Sequence, residues 1–79
     1  MQIEYSRSAV KYIESQDKPT KKRLKETIEK IPQGDIKKLK GLDNKYRLRV
    51  GDLRVLFSLE GDKIIIDDIL PRGQAYKRL

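Results

Sequence analysis

The chain has 79 residues, 19 Lys and Arg against 12 Asp and Glu, a net charge of +7, and neither Cys nor His. Without those two residue types it has no disulfide, no thiol nucleophile, no imidazole acid or base, and few ways to hold zinc or copper. No composition break divides it, so residues 1–79 are read as one domain, with a core kept thin by 39% charged and 6% aromatic residues; the positive charge favours an acidic partner, nucleic acid or protein.

The amino terminus, MQIEYS, has neither the basic n-region nor the apolar h-region of a signal peptide, and no run approaches the roughly 20 apolar residues of a membrane span. The expectation is a soluble cytoplasmic protein. Gln2 to Tyr5 reads as a short edge strand with Ile3 facing inward. Ser6 follows as a helix N-cap, with Tyr5 before it and Val10 after it placed as a hydrophobic staple, and with Ala9, Val10 and Ile13 as the apolar stripe. This helix is predicted to end near Gln16, before Asp17-Lys18-Pro19. Pro19 is placed as the first residue of a second helix carrying Leu24, Ile28 and Ile31, which Pro32-Gln33-Gly34 closes. The two form a helical hairpin. Its lysines, Lys18, Lys21, Lys22, Lys25 and Lys30, read first as a wet helix face.

Asp35 to Leu42 is read as a basic connector, with Ile36 and Leu39 as anchors and Lys37, Lys38 and Lys40 as its charges. Tyr46 to Phe57, YRLRVGDLRVLF, is then two alternating runs around Gly51-Asp52, the signature of a β-hairpin with a type II′ turn. The implied pairs are Val50 with Leu53, Arg49 with Arg54, Leu48 with Val55, Arg47 with Leu56, and Tyr46 with Phe57. One face is apolar and must be covered; the helical hairpin is the obvious lid, giving a two-layer α+β domain of order β-α-α-β-β-β. The other face carries Arg47, Arg49 and Arg54. Like charges opposite each other cost about 0.2–1 kcal/mol, so folding alone gives no reason for Arg49 to face Arg54. An anion gripped by guanidinium groups would supply one; a solvated face balanced by Asp or Glu is the alternative.

Gly61-Asp62 is a second turn signal, setting Glu60 against Lys63 and making Ile64, Ile65 and Ile66 the start of a third antiparallel strand. Asp67-Asp68 interrupts it. Strict pairing would set Asp67 opposite Leu56 and diagonal to Arg54, where it would serve as a salt-bridge partner or a functional group; a bulge would re-aim one carboxylate.

The order of these elements, together with Leu39-Lys40-Gly41, Tyr46 to Asp52, Arg54-Val55-Leu56-Phe57, and Arg72-Gly73 followed by Tyr76, resembles the RelE/ParE superfamily of bacterial toxins over nearly the whole chain. The resemblance implies the toxin of a type II toxin-antitoxin pair. RelE-like members cut mRNA in the ribosomal A site without a metal or other cofactor, a ribose 2′-OH attacking the adjacent phosphate to leave a 2′,3′-cyclic phosphate. Carried over, Arg54 matches the sheet arginine at the scissile phosphate, Arg72 the arginine after the last strand, and Tyr76 the C-terminal tyrosine, with Arg49 beside them. Arg47, Lys38, Lys40, Lys45, Lys77 and Arg78 would then bind RNA or ribosome. Pro71 stands where some relatives have histidine, which leaves Tyr76, Lys38, Lys40 or Asp67 as proton acceptors. The implied partners are the ribosome, mRNA, and an antitoxin presenting an acidic or amphipathic helix, with no membrane and no small molecule. A ParE-like DNA gyrase inhibitor without nuclease activity, and a binding module that has lost its chemistry, are the other readings.

Overall fold

The computed structural model describes residues 2–41 and 44–71. In chain order it contains β1 (Gln2–Tyr5), α1 (Arg7–Glu14), α2 (Lys18–Glu29), β2 (Asp35–Lys38), β3 (Lys45–Val50), β4 (Leu53–Glu60) and β5 (Lys63–Pro71). The strands form one sheet in the order β1-β5-β4-β3-β2; β1 runs parallel to β5 and every other pairing is antiparallel. Both helices lie on one side of it, giving the two-layer α+β arrangement expected.

The local chemistry explains most boundaries. Ser6 caps α1, its Oγ accepting from Ala9 N at 3.1 Å while donating to the Asp67 carbonyl at 2.7 Å. Pro19 sits in the first turn of α2, one residue inside its start at Lys18, where a missing N–H costs nothing. Ala9 and Ile13 of α1 and Leu24 and Ile28 of α2 are buried, and Ile31 joins them beyond the helix end. Val10 departs from the expected stripe. It is 40% exposed, because one residue on from Ala9 turns the side chain about 100° away from the sheet. It lines an open groove with Tyr5 and Ile13, rimmed by Lys18, Lys21, Lys22 and Lys25.

The β3–β4 hairpin has the expected register at all five pairs, with Lys45 opposite Ser58 in addition. Gly51 has φ +58° and Asp52 a negative φ, as a type II′ turn requires. Gly61 repeats the device at φ +61°, and Glu60 pairs with Lys63. Leu48, Val50, Val55, Phe57, Ile64, Ile66 and Ile69 fill the core under the helices.

Two expectations change. The connector after residue 34 contains a strand: Asp35, Ile36, Lys37 and Lys38 pair with Arg49, Leu48, Arg47 and Tyr46. With only Ile36 turned to the core, its alternation is too short to stand out from a lysine-rich loop. The interruption in β5 is a bulge. Phe57 pairs with Ile66 and Leu56 with Asp68, leaving Asp67 as the extra residue. Strict pairing would have turned Ile69 out of the core; the bulge keeps Ile66 and Ile69, three residues apart, on the same buried side.

Candidate functional site

Alternation carries Lys45, Arg47 and Arg49 of β3 to the side of the sheet away from the helices, with Arg54, Leu56 and Ser58 of β4. β2 adds Asp35 and Lys37 to this face, opposite Arg49 and Arg47. Three rows result: Asp35, Arg49, Arg54 and Leu70; Lys37, Arg47, Leu56 and Asp68; then Lys45 and Ser58.

The arginines are not equivalent. Arg49 is exposed, Arg47 half-buried, and Arg54 only 4% exposed, as its cross-strand neighbour Leu70 is at 6%. Arg49 and Arg54 are therefore cross-strand partners of like charge, one free to sweep solvent and one held in place. Arg47, Arg54 and Asp68 each engage a further polar or electrostatic partner, consistent with the rule that a guanidinium is taken out of water only when compensated.

The bulge brings both carboxylates toward the charged face. Asp68 sits opposite Leu56, and its Oδ1 accepts from Ile69 N at 2.9 Å. Asp67 Oδ2 accepts from Ser58 Oγ at 2.5 Å and lies 3.5 Å from Lys45 Nζ, which itself donates to Ser58 Oγ at 2.6 Å. Asp67 thus pairs with Lys45 and Ser58 rather than with Arg54, because the extra residue carries it one position toward the Gly61 turn. Its backbone carbonyl is held as well, by Ser6 Oγ.

The structure brings Arg47, Arg49, Arg54 and Lys45 onto one face. Lys38 is not among them: it pairs with Tyr46 and so belongs to the helix side, at the sheet edge. Lys40 is exposed in the turn before β3. Arg72, Tyr76, Lys77 and Arg78 lie outside the described residues. Lys37 was read from sequence only as a charge of the connector, and Ser58 was not singled out. Reading DIKK as a strand would have placed Lys37 beside Arg47, and the hairpin register already placed Ser58 on the charged face, where a serine among cations is the natural partner of an acid.

Comparison with known proteins fits this geometry. The sequence model of the ParE toxin of the type II toxin-antitoxin system parDE matches residues 3–76. Toxin RelE3 of Methanocaldococcus jannaschii is 33% identical, over 96% of this chain and 96% of its own length. Among solved structures, the fold is similar to that in the RelB-RelE antitoxin-toxin complex from Methanococcus jannaschii, with a TM-score of 0.79 at 31% identity over 96% of this chain and 98% of that one. It is also similar to the archaeal RelE-RelB complex from Pyrococcus horikoshii, with a TM-score of 0.75 at 28% identity over 92% and 96%. The chain belongs to the ParE toxin family of type II toxin-antitoxin systems, within the RelE/ParE superfamily and close to RelE.

Proposed function

We propose that this protein is a ribosome-dependent mRNA endonuclease that works without a metal in the cytoplasm. The observation that supports it best is the pairing of Arg49 with Arg54 on a face that also carries Arg47, Lys37 and Lys45. A face built only for folding would separate these charges; a phosphodiester makes their proximity favourable.

In the reaction, the 2′-oxygen attacks the adjacent phosphorus as its proton leaves, the bond from phosphorus to the 5′-oxygen breaks, and a proton is returned to that oxygen. The products are a 2′,3′-cyclic phosphate and a free 5′-OH. Negative charge grows on the non-bridging oxygens at the transition state, and guanidinium groups already in place stabilise it without reorganising, a contribution that is often the largest in catalysis. Arg54, buried and held, is the fixed part of this cradle; Arg49, exposed, closes on the phosphate from solvent; Arg72 is proposed as a third guanidinium. Arginine stays protonated and cannot take the proton from the 2′-OH. Tyr76 is the side chain proposed to assist that transfer, and Lys40, Lys77 and Arg78 are proposed to hold RNA or ribosome. Lys38, on the helix side, serves the ribosome rather than the reacting phosphate.

The proposed protein partner is an antitoxin presenting an acidic, amphipathic helix. Two of the similar solved structures are RelB-RelE complexes, and the groove of Tyr5, Val10 and Ile13 inside a lysine rim has the chemistry to receive such a helix.

The test is cell-free translation with purified protein, new mRNA 5′ ends being mapped by primer extension beside an Arg49→Ala control. Cuts are expected only on translated message and are expected to vanish in the control. A second reading, gyrase inhibition, draws on the match to the ParE family. Uncut message together with blocked DNA supercoiling would establish it in place of the first.

A further inference from the structure

The β5 bulge exchanges one carboxylate for another beside Arg54. Strict pairing would set Asp67 opposite Leu56; with the bulge that place belongs to Asp68, two residues before Leu70, the cross-strand partner of Arg54. Asp68 is therefore the diagonal neighbour of Arg54 on the charged face, a separation of about 7–8 Å that a long side chain bridges. It also shares the row of Arg47, on the far side of Leu56. Asp68, Arg54 and Arg47 come from three adjacent strands, and each engages a further polar or electrostatic partner.

Among the described residues, the other carboxylates of this face are placed elsewhere. Asp35 stands opposite Arg49, which lies between it and Arg54. Asp67 is bonded to Ser58, four residues along β4 from Arg54, which is about 13 Å at the rise of a strand. Arg54 is only 4% exposed, and a charge so buried calls for an opposite charge within reach; Asp68 has that position. Asp68 is itself fixed from two sides. Ser6 holds the bulge from the helix layer, its N donating to the Ile66 carbonyl at 2.9 Å and its Oγ to the Asp67 carbonyl at 2.7 Å. On the other side, Asp68 Oδ1 accepts from Ile69 N at 2.9 Å, which restricts rotation of the carboxylate.

We propose that Asp68 is a positioning residue of the arginine cradle, holding the guanidinium of Arg54, with Arg47 beside it, in the orientation that receives a phosphodiester. This rests on the nuclease reading above. A guanidinium has more N–H donors than one carboxylate engages, so a held arginine still presents N–H groups to phosphate oxygens. The carboxylate offsets the cost of burying the charge, and the fixed orientation spares the reorganisation that would otherwise oppose charge stabilisation at the transition state. Arg49, exposed and opposite Asp35, lies outside this arrangement.

The experiment compares wild type, Asp68→Asn and Asp68→Glu in two ways: by cleavage of translated message over a range of ribosome concentrations, and by NMR of the arginine Nε–H groups. The Arg54 and Arg49 signals are assigned by their loss in Arg54→Lys and Arg49→Lys. Asparagine keeps the size of the side chain and removes its charge. In Asp68→Asn the rate at saturating ribosome is expected to fall by up to about 10²-fold, the scale of a slightly misplaced reacting group. The half-saturating concentration is expected to stay near wild type, because the exposed cations are untouched. The Arg54 signal is expected to shift and to exchange faster with water, and the Arg49 signal to stay in place. Glutamate, with the charge on a longer arm, is expected to recover part of the rate, and its rate and Arg54 signal carry the test should Asp68→Asn fail to fold. A lower melting temperature with rate and Arg54 signal unchanged in the folded variants would make Asp68 merely structural and overturn the proposal. A fall in rate with an unmoved Arg54 signal overturns it as well, and both results leave the nuclease reading standing. No cutting by the wild-type protein overturns that reading and the positioning role with it.

Discussion

Leu48 and Arg49 are neighbours in sequence and belong to different regimes: the first is fully buried under the helices, the second exposed on the opposite side of the same strand. The same contrast runs across the sheet. On the helix side, Leu48, Val55, Phe57, Ile66 and Ile69 are at most 1% exposed. On the other, Lys37, Arg47, Arg49 and Arg54 crowd cations together, offset by Asp35, Asp67 and Asp68. A 79-residue chain has little core to spare, and strand alternation lets it place nearly all its stability on one face and leave the other for the proposed chemistry. Substitutions on the two faces should therefore move different observables.

The largest effect is expected on the helix side. Phe57, 1% exposed and stacked on Tyr46 at 5.5 Å between ring centroids, loses about 3–5 kcal/mol on truncation to Ala. That is a large share of the roughly 5–15 kcal/mol available to a small domain. Urea titration should show the midpoint collapse, and a variant as stable as wild type would mean that the core does not carry the fold. Next is Arg49→Ala on the other face. It is expected to lower ribosome-dependent cleavage by about 10²–10³-fold, the usual cost of one preorganised charge stabiliser. Stability should stay within about 0.5 kcal/mol, and any change should be upward, because a like-charge pair is relieved. A loss of both stability and cleavage would show that the two faces are not separable.

Ser58→Ala tests the boundary between the two regimes, since Ser58 is as buried as the core but belongs to the charged face. Removing a hydroxyl that links an ammonium to a carboxylate is expected to cost about 1.5–3 kcal/mol. Ser58→Thr, which keeps the hydroxyl, is expected to recover part of it. Thermal melting of the two variants decides the point. Equal loss in both would place the cost in packing rather than in the hydrogen bonds.

What the sequence disclosed follows from how local its determinants are. The hairpin was legible down to its register because Gly51 fixes the turn and six apolar residues alternate around it. Ser6 and Pro19 mark helix starts for equally local reasons, and the Pro19 boundary was off by a single residue. β2 was not legible, because four residues with one inward side chain carry almost no periodicity, and its strand character comes from pairing with β3. The bulge was foreseen only as one option: Asp67-Asp68 shows an interruption, while the choice of register depends on Ile69 reaching the core. For the site, the face shared by Arg47, Arg49 and Arg54 follows from alternation alone. The burial of Arg54 and the tie between Lys45, Ser58 and Asp67 do not, since both depend on the register of β5 against β4, which the bulge sets.

The smallest effect lies at alkaline pH, and it comes from the helix side. Burial, followed by the nearby charge of Glu29, raises the Tyr5 hydroxyl above its ordinary value of 10.0, and burial raises Tyr12. Both phenols are protonated in folded and unfolded chains at neutral pH, so they add no pH dependence there. As pH passes about 10, the unfolded chain releases these protons before the folded one does. The unfolded state then binds fewer protons, and stability falls with rising pH. Urea midpoints measured from about pH 9 to about pH 11 should decline, and Tyr5→Phe should decline less steeply because the half-buried hydroxyl is gone. The two proteins differ only at this hydroxyl, so the difference between the two curves isolates Tyr5. Arg49→Ala, which leaves both phenols in place, should run parallel to wild type; parallel curves for Tyr5→Phe as well would mean that the phenol meets the same surroundings folded and unfolded.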